Sequence, residues 1–227
     1  MNYTLAIETS TKNCSVAIFE GSFLIGFKEE ATRDYSHVEQ LTVFIDELFK
    51  ESDIDIDQLS TVAVSKGPGS YTGLRIGVAT AKGICYALDI PLISISTLQA
   101  MALSMQKKEE AELYCPMIDA RRMEVYSAFY NNKNKLVRDI QADIINQDSY
   151  KKELNNKVIF FGDEILKCQS VINSSNALFI NQFYPSAKDF GFLIEEKIIQ
   201  KAYEDLAYFE PFYLKDFVSI NVKKAKD

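Results

Sequence analysis

The sequence predicts an α/β protein built from two duplicated βββαβα lobes, the second one reduced. Three observations carry that expectation. Short β-branched and apolar runs alternate with segments of helical period, the pattern of mixed sheets covered by helices. A charged connector, Q-K-K-E-E-A-E at residues 106–112, divides the chain near its middle. On each side of it the elements follow the same order, which is the signature of duplication even without visible identity between the halves.

In the first half, Tyr3 to Glu8 is a mostly apolar run that reads as a central strand. A hydroxyl-rich turn, Thr9-Ser10-Thr11-Lys12-Asn13, leads to a second strand at residues 14–19. A tight Glu20-Gly21-Ser22 turn leads to a third at 23–29, with Phe23, Ile25 and Phe27 on one face. Such short links between strands make an antiparallel meander. A helix is expected from His37 to Lys50, opened by a Ser36/Glu39 capping box, with Val38, Leu41, Phe44, Ile45, Leu48 and Phe49 on its inner face. Strands at 61–64 and 91–95 follow, and a second capping box, Ser96 with Gln99, opens a helix to about Met105.

The second half begins with strands at 113–119, 123–130 and 135–140. A short helix at 147–154 and a strand at 158–161 come next. Helix is expected again at 163–171, a polar turn at 173–176, and a long helix at 186–206 capped by Ser186 with Phe190, Leu193, Ile194 and Ile198 inward. Residues 211–214 close the fold, and a charged tail from Val222 frays. Two such halves facing each other across a nucleotide cleft are the plan of actin-like (ASKHA, RNase H-like) folds. The lobes are set at residues 1–105 and 106–227.

Residues 65–88, S-K-G-P-G-S-Y-T-G-L-R-I-G-V-A-T-A-K-G-I-C-Y-A-L, form the most informative stretch. Gly67, Pro68 and Gly69 turn the chain sharply, and Ser70 or Thr72 caps the helix that follows. Leu74, Val78, Ala81, Cys85 and Leu88 make its apolar stripe. Gly73, Gly77, Thr80, Ile84 and Ala87 make a second stripe, mostly of small residues. Glycine within a helix costs roughly 1 kcal/mol against alanine, so two on one face imply a close approach to the backbone. Packing on the chain's own sheet and a helix-to-helix contact with another protein both meet that requirement. A phosphate loop does not, since Leu74-Arg75 stands where Lys-Ser or Lys-Thr is needed.

Composition narrows the function. The 227 residues are 47% hydrophobic and 12% aromatic, enough for a sizeable core, and the net charge of −7 disfavours a free-standing nucleic-acid binder. Cys14, Cys85, Cys115 and Cys168 form no C-x-x-C pair, which argues against a zinc site and for a reduced cytosolic compartment. The N-terminus lacks signal-peptide features, and no apolar run approaches the ~20 residues of a membrane span. His37 is the only histidine, so a peptidase or a histidine-bound metal would have to use it.

In the actin-like plan the first strand of each lobe ends in a carboxylate for Mg²⁺ or water, followed by a glycine turn for phosphates. Glu8 and Asp119 stand at those positions. The glycines do not: Thr9-Ser10-Thr11 follows one and Ala120-Arg121-Arg122 the other. Thr9 and Ser10 are left as weak phosphate ligands, or as groups that satisfy their own turn. Glu8, Thr9, Ser10 and Asp119 therefore read as a degenerate nucleotide site.

Four motifs carry a resemblance: I-E-T-S-T at 7–11, G-P-G-S-Y-T-G-L-R-I-G at 67–77, I-D-A-R-R-M-E-V-Y at 118–126 and P-F-Y-L-K-D at 211–216. Together they are similar to the TsaB (YeaZ) family. The resemblance implies a cytoplasmic, non-catalytic subunit in the synthesis of threonylcarbamoyladenosine beside the tRNA anticodon. Its implied partners are the catalytic paralogue TsaD and the small ATPase TsaE. A homodimer is implied when TsaD is absent, and tRNA is reached only through the complex. No tightly bound cofactor and no metal are implied, with ATP or ADP only in the partner complex. The paralogue's metal-binding histidine pair corresponds here to His37 and Leu41, which lacks the second ligand. The implied partner surface is the first lobe's helices, through His37, Leu41, Gly73, Gly77, Thr80 and Ile84. The alternative is a kinase- or transferase-type enzyme of the same fold acting through Glu8 and Asp119. Arg33 and Arg75 are open to a tRNA contact, but read first as surface or interface ion-pair residues.

Overall fold

A computed structural model describes residues 3–31, 37–163 and 165–215, and of residues 37–39 the backbone only. The Ser36/Glu39 capping box, the His37 side chain, Val38, Arg33, Asp216 and the tail from Val222 lie outside the described residues.

Strands β1 (Tyr3–Glu8), β2 (Asn13–Glu20), β3 (Phe23–Ala31), β4 (Leu59–Gly67) and β5 (Leu92–Ser96) form one sheet in the order β3-β2-β1-β4-β5. Strands β6 (Leu113–Asp119), β7 (Glu124–Asn131), β8 (Leu136–Ile144), β9 (Val158–Gly162) and β10 (Ala177–Asn181) form the other, in the order β10-β9-β6-β7-β8. The two orders are the same once the second is read from its other edge. In each, the first three strands run as an antiparallel meander and the last two join in parallel beside the first. The first lobe has the five strands and three helices expected of it, one strand and one helix more than the βββαβα plan.

Helices α1 (His37–Ser52) and α2 (Tyr71–Leu88) cover the outer face of the first sheet. Leu41, Ile45, Leu48 and Phe49 of α1 and Val78, Ala81 and Cys85 of α2 meet Leu5, Ile7, Val16, Ile18, Val62 and Val64 there. The apolar stripes expected for both helices thus lie on the core. Ser70 is the α2 cap, its Oγ accepting from Gly73 N at 3.3 Å.

Helix α3 (Thr97–Gln106) lies between the sheets. Leu98, Met101, Ala102 and Met105 pack on Tyr114, Ile118, Ala128 and Phe161 of the second sheet, while Ala100 joins the core of the first. Its N-cap Ser96 makes no side-chain cap bond, so the second capping box is absent. Helix α5 (Gly191–Ile199) crosses back: Phe190, Leu193 and Ile194 pack on Ala6, Ala17, Phe19, Ala63, Ile93 and Ile95 of the first sheet. Among the described residues no helix is long and apolar enough to span a membrane.

Three expected elements differ and one strand is added. Residues 147–152 form turns followed by a short 3-10 helix (Glu153–Asn155), not a helix over 147–154, and Tyr150 sits there at φ 63°. Helix α4 is only Leu166–Gln169 within the expected 163–171. Strand β10 was not expected. The long helix over 186–206 is instead a 3-10 turn (Ala187–Asp189) and α5. It ends because Lys201 takes φ 52° and Glu204 then pairs with Leu92 at the β5 edge. Ser186 does not cap it; its hydroxyl donates to Glu29 Oε2 at 2.6 Å.

Candidate functional site

The carboxyl ends of β1 and β4 meet where the plan puts the first phosphate turn. Ligands of open α/β sheets bind outside such strand ends. Here the chain fills the place itself. Ser70 N donates to Ser10 O at 2.7 Å. Gly69 permits that approach, because a Cβ there would overlap the Ser10 carbonyl. Thr9 Oγ1 donates to Gly73 O at 2.8 Å. Glu8, Thr9 and Ser10 are fully buried.

Glu8 Oε1 accepts from Ser10 N at 2.6 Å, while its Oε2 is buried without a hydrogen-bond partner. Burial pushes the Glu8 carboxyl above its ordinary range, with Ser10, Ser65 and Thr9 pulling the other way. Such a group is closed to a hydrated cation.

Asp119 ends β6 in the equivalent position and is partly exposed. Lys167 on α4 occupies the place of a cation. Its ammonium donates to Asp119 Oδ1, to Arg122 O at 2.7 Å and to Glu124 O at 2.8 Å. Across the lobes, Lys12 lies 3.8 Å from Asp163, which follows β9. The Glu8 carboxylate is thus buried, and the Asp119 carboxylate is taken by Lys167. Among the described residues no group of three or more His, Cys, Asp or Glu is placed to hold a metal.

The expected partner surface needs correction at three residues. Leu41 is buried in the first-sheet core. Gly73 and Gly77 are buried too, and a Cβ on Gly77 would overlap Thr9 Oγ1. The small size of Gly77 serves the contact of α2 with the chain's own β1 turn, where Thr9 also donates to Gly73 O. Thr80 and Ile84 remain at the surface, half-buried. The face that α1 and α2 present outward carries Val43, 48% exposed, with Ile76, Ala79, Gly83, Tyr86 and Ala87. Gly83 has nothing within 4 Å of a notional Cβ, so the α2 backbone is approachable there. That stripe lies about one residue round the helix from the expected one. Spacing alone does not distinguish the two; the buried Thr9 hydroxyl does.

The C-terminal segment straps α2 at its other flank. Phe212 N donates to Lys66 O at 2.7 Å, Lys82 donates to the carbonyls of Ala207 and Phe209, and Arg75 lies 4.2 Å above the Tyr71 ring and donates to Tyr213 at 3.2 Å. This holds together the G-P-G-S and P-F-Y-L motifs, which are far apart in sequence.

The architecture is that of a solved structure of YeaZ from Pseudomonas aeruginosa, with a TM-score of 0.77, 23% identity, and coverage of 94% of this chain and 100% of that one. Fold and site together define an α/β protein of two like five-stranded sheets in which burial closes Glu8 and Lys167 closes Asp119. The family model described as TsaD, tRNA N6-adenosine threonylcarbamoyltransferase, matches residues 29–218. The tRNA threonylcarbamoyladenosine biosynthesis protein TsaB of Bacillus subtilis is 32% identical over 164 residues, 70% of each chain. TsaB of Haemophilus influenzae is 38% identical over 122 residues, 54% of this chain and 51% of that one, so the match spans about half of that relative. The chain belongs to the TsaB (YeaZ) family of tRNA threonylcarbamoyladenosine biosynthesis proteins.

Proposed function

We propose that the chain is the non-catalytic subunit that pairs with a TsaD-type transferase, which adds threonylcarbamoyl to the adenosine beside the tRNA anticodon. The observation that carries the reading is the closure of both carboxylate positions, Glu8 by burial and Asp119 by Lys167. A kinase or transferase of this fold needs both to be open toward a metal-bound nucleotide.

The pairing surface is the outward face of α1 and α2 around Val43, Ile76, Thr80, Gly83 and Ile84. It is apolar and has a glycine at its centre, which lets a second helix come close. The same face makes the homodimer when the transferase is absent. A TsaE-type ATPase joins the pair, and ATP or ADP binds only in the assembled complex.

Sedimentation of the chain alone and with the transferase tests this. Gly83→Phe is expected to stay folded and to abolish both associations. Gly77→Phe is unsuitable as a probe, because its ring would be driven into the chain's own β1 turn. Wild-type chain that never associates, or that hydrolyses ATP alone, overturns the reading.

A further inference from the structure

The I-D-A-R-R-M-E-V-Y stretch contains a feature that the scaffold role leaves unused. Arg121 and Arg122, in the turn between β6 and β7, have φ of 71° and 53°. Residues with a Cβ hold such angles only where their surroundings impose them. The surroundings here are Lys167, whose ammonium binds Asp119 Oδ1 and the carbonyls of Arg122 and Glu124, and Asp119 itself, which accepts from Arg121 N at 3.1 Å. Lys215 takes the Glu124 carboxylate. The acidic groups next to the turn are thus matched with lysines. The two guanidinium groups are exposed and make no hydrogen bond or ion pair with any described residue.

We propose that the Arg121–Arg122 turn is a contact for the phosphate backbone of RNA. The proposal rests on the reading above and adds a direct contact where that reading has tRNA reached only through the complex. A guanidinium presents a planar fork of donors that matches phosphate oxygens. On a chain of net charge −7, anion binding is confined to places where positive charge is locally unmatched. A protein partner is the weaker fit. Stable protein interfaces have an apolar centre, and between Asp119 and Glu124 the only apolar side chains, Ala120 and Met123, are half-buried. Phosphate contacts need only charge and donors.

The test is fluorescence anisotropy of a labelled, unmodified tRNA transcript titrated with the chain–transferase pair between 50 and 200 mM salt. Sedimentation of the same mixtures runs beside it. Arg121→Gln with Arg122→Gln is expected to leave pairing intact and to weaken tRNA binding several-fold at 50 mM. The slope of log K against log salt is expected to become shallower by about 1 to 2, the loss of one or two phosphate contacts. The weakening is expected to be uniform across tRNA sequences. Unchanged affinity and slope overturn the proposal. So does a double variant that no longer pairs, which would make the turn a protein contact. If wild type itself does not pair, the scaffold reading fails, and the lone chain at 50 mM still reads the turn through the same comparison.

Discussion

Gly77 and Gly83 lie on one helix and are expected to answer the same substitution with opposite signs. A Cβ at Gly77 overlaps Thr9 Oγ1, whose hydroxyl is bonded to Gly73 O. Gly77→Ala must displace that hydroxyl, an overpacking cost of about 1–3 kcal/mol that outweighs the roughly 1 kcal/mol gained from helix propensity. Gly83→Ala meets nothing within 4 Å and keeps the gain. Urea midpoints should fall for the first and rise for the second; a rise for both would remove Thr9 as the constraint. The sequence makes the smallness of Gly77 legible but not its direction, because a helical period places a residue on a face without saying what that face meets. Glu8 carries a pH signature. Its folded-state pKa is raised by burial above the ordinary 4.5, so the unfolded chain releases this proton first. The group therefore costs stability as pH rises from about 4.5 through the folded value, and nothing below. Glu8→Gln is expected to remove that fall, so the gap between variant and wild type should widen with pH and then level off. Parallel curves from pH 4 to 8 would show that Glu8 is not the titrating group.

At the scale of elements, the second lobe has lost the helix that would match α1, and a polar cluster holds that side. Arg138 is bound to both oxygens of Asp143, at 2.6 and 2.9 Å, and the hydroxyls of Ser127 and Tyr150 donate to Asp143 Oδ2 at 2.5 and 2.9 Å. Tyr150 stacks on Phe160, which stacks on Phe179. Asp143 is held below its ordinary pKa by these donors despite the opposing effect of burial. Asp143→Ala removes the carboxylate that three donors share, leaving Arg138 only Gln141 and Ser127 and the Ser127 and Tyr150 hydroxyls only each other, for a loss of about 3 kcal/mol. Urea unfolding at pH 7 measures it. As pH falls through the lowered Asp143 pKa the difference should shrink, since wild type then loses the pair as well. A gap that is constant down to acid would assign the loss to packing alone. The 147–154 segment has helical composition, yet its Tyr150 is committed to Asp143 and the aromatic stack, and that tertiary demand overrides local propensity. Strand β10 is illegible for the opposite reason: five residues ending in asparagine after a polar turn give too short a signal.

The repeated order of elements, legible in the sequence, predicts two lobes, but not how they are joined. The inner helices settle that. Helix α3 belongs to the first half by sequence and packs largely on the second sheet, while Phe190 and α5 belong to the second half and pack on the first. Periodicity shows that Phe190, Leu193 and Ile194 face a core without showing which one. Their placement makes the β1–β4–β5 face depend on residues more than 90 positions downstream of β5, so the halves are expected to unfold as one cooperative unit. Phe190→Ala tests this from a distance. The side chain is fully buried between Ala6, Ala17, Phe19, Ala63 and Ile93, and its truncation should cost about 3–5 kcal/mol. In native-state hydrogen exchange the slowest amides of both sheets should lose protection by that same amount, because both exchange through one global opening. If β1 and β4 lose protection while β6 and β9 keep theirs, the lobes open separately, and the second sheet is stable without the helix that its own half contributes to the first.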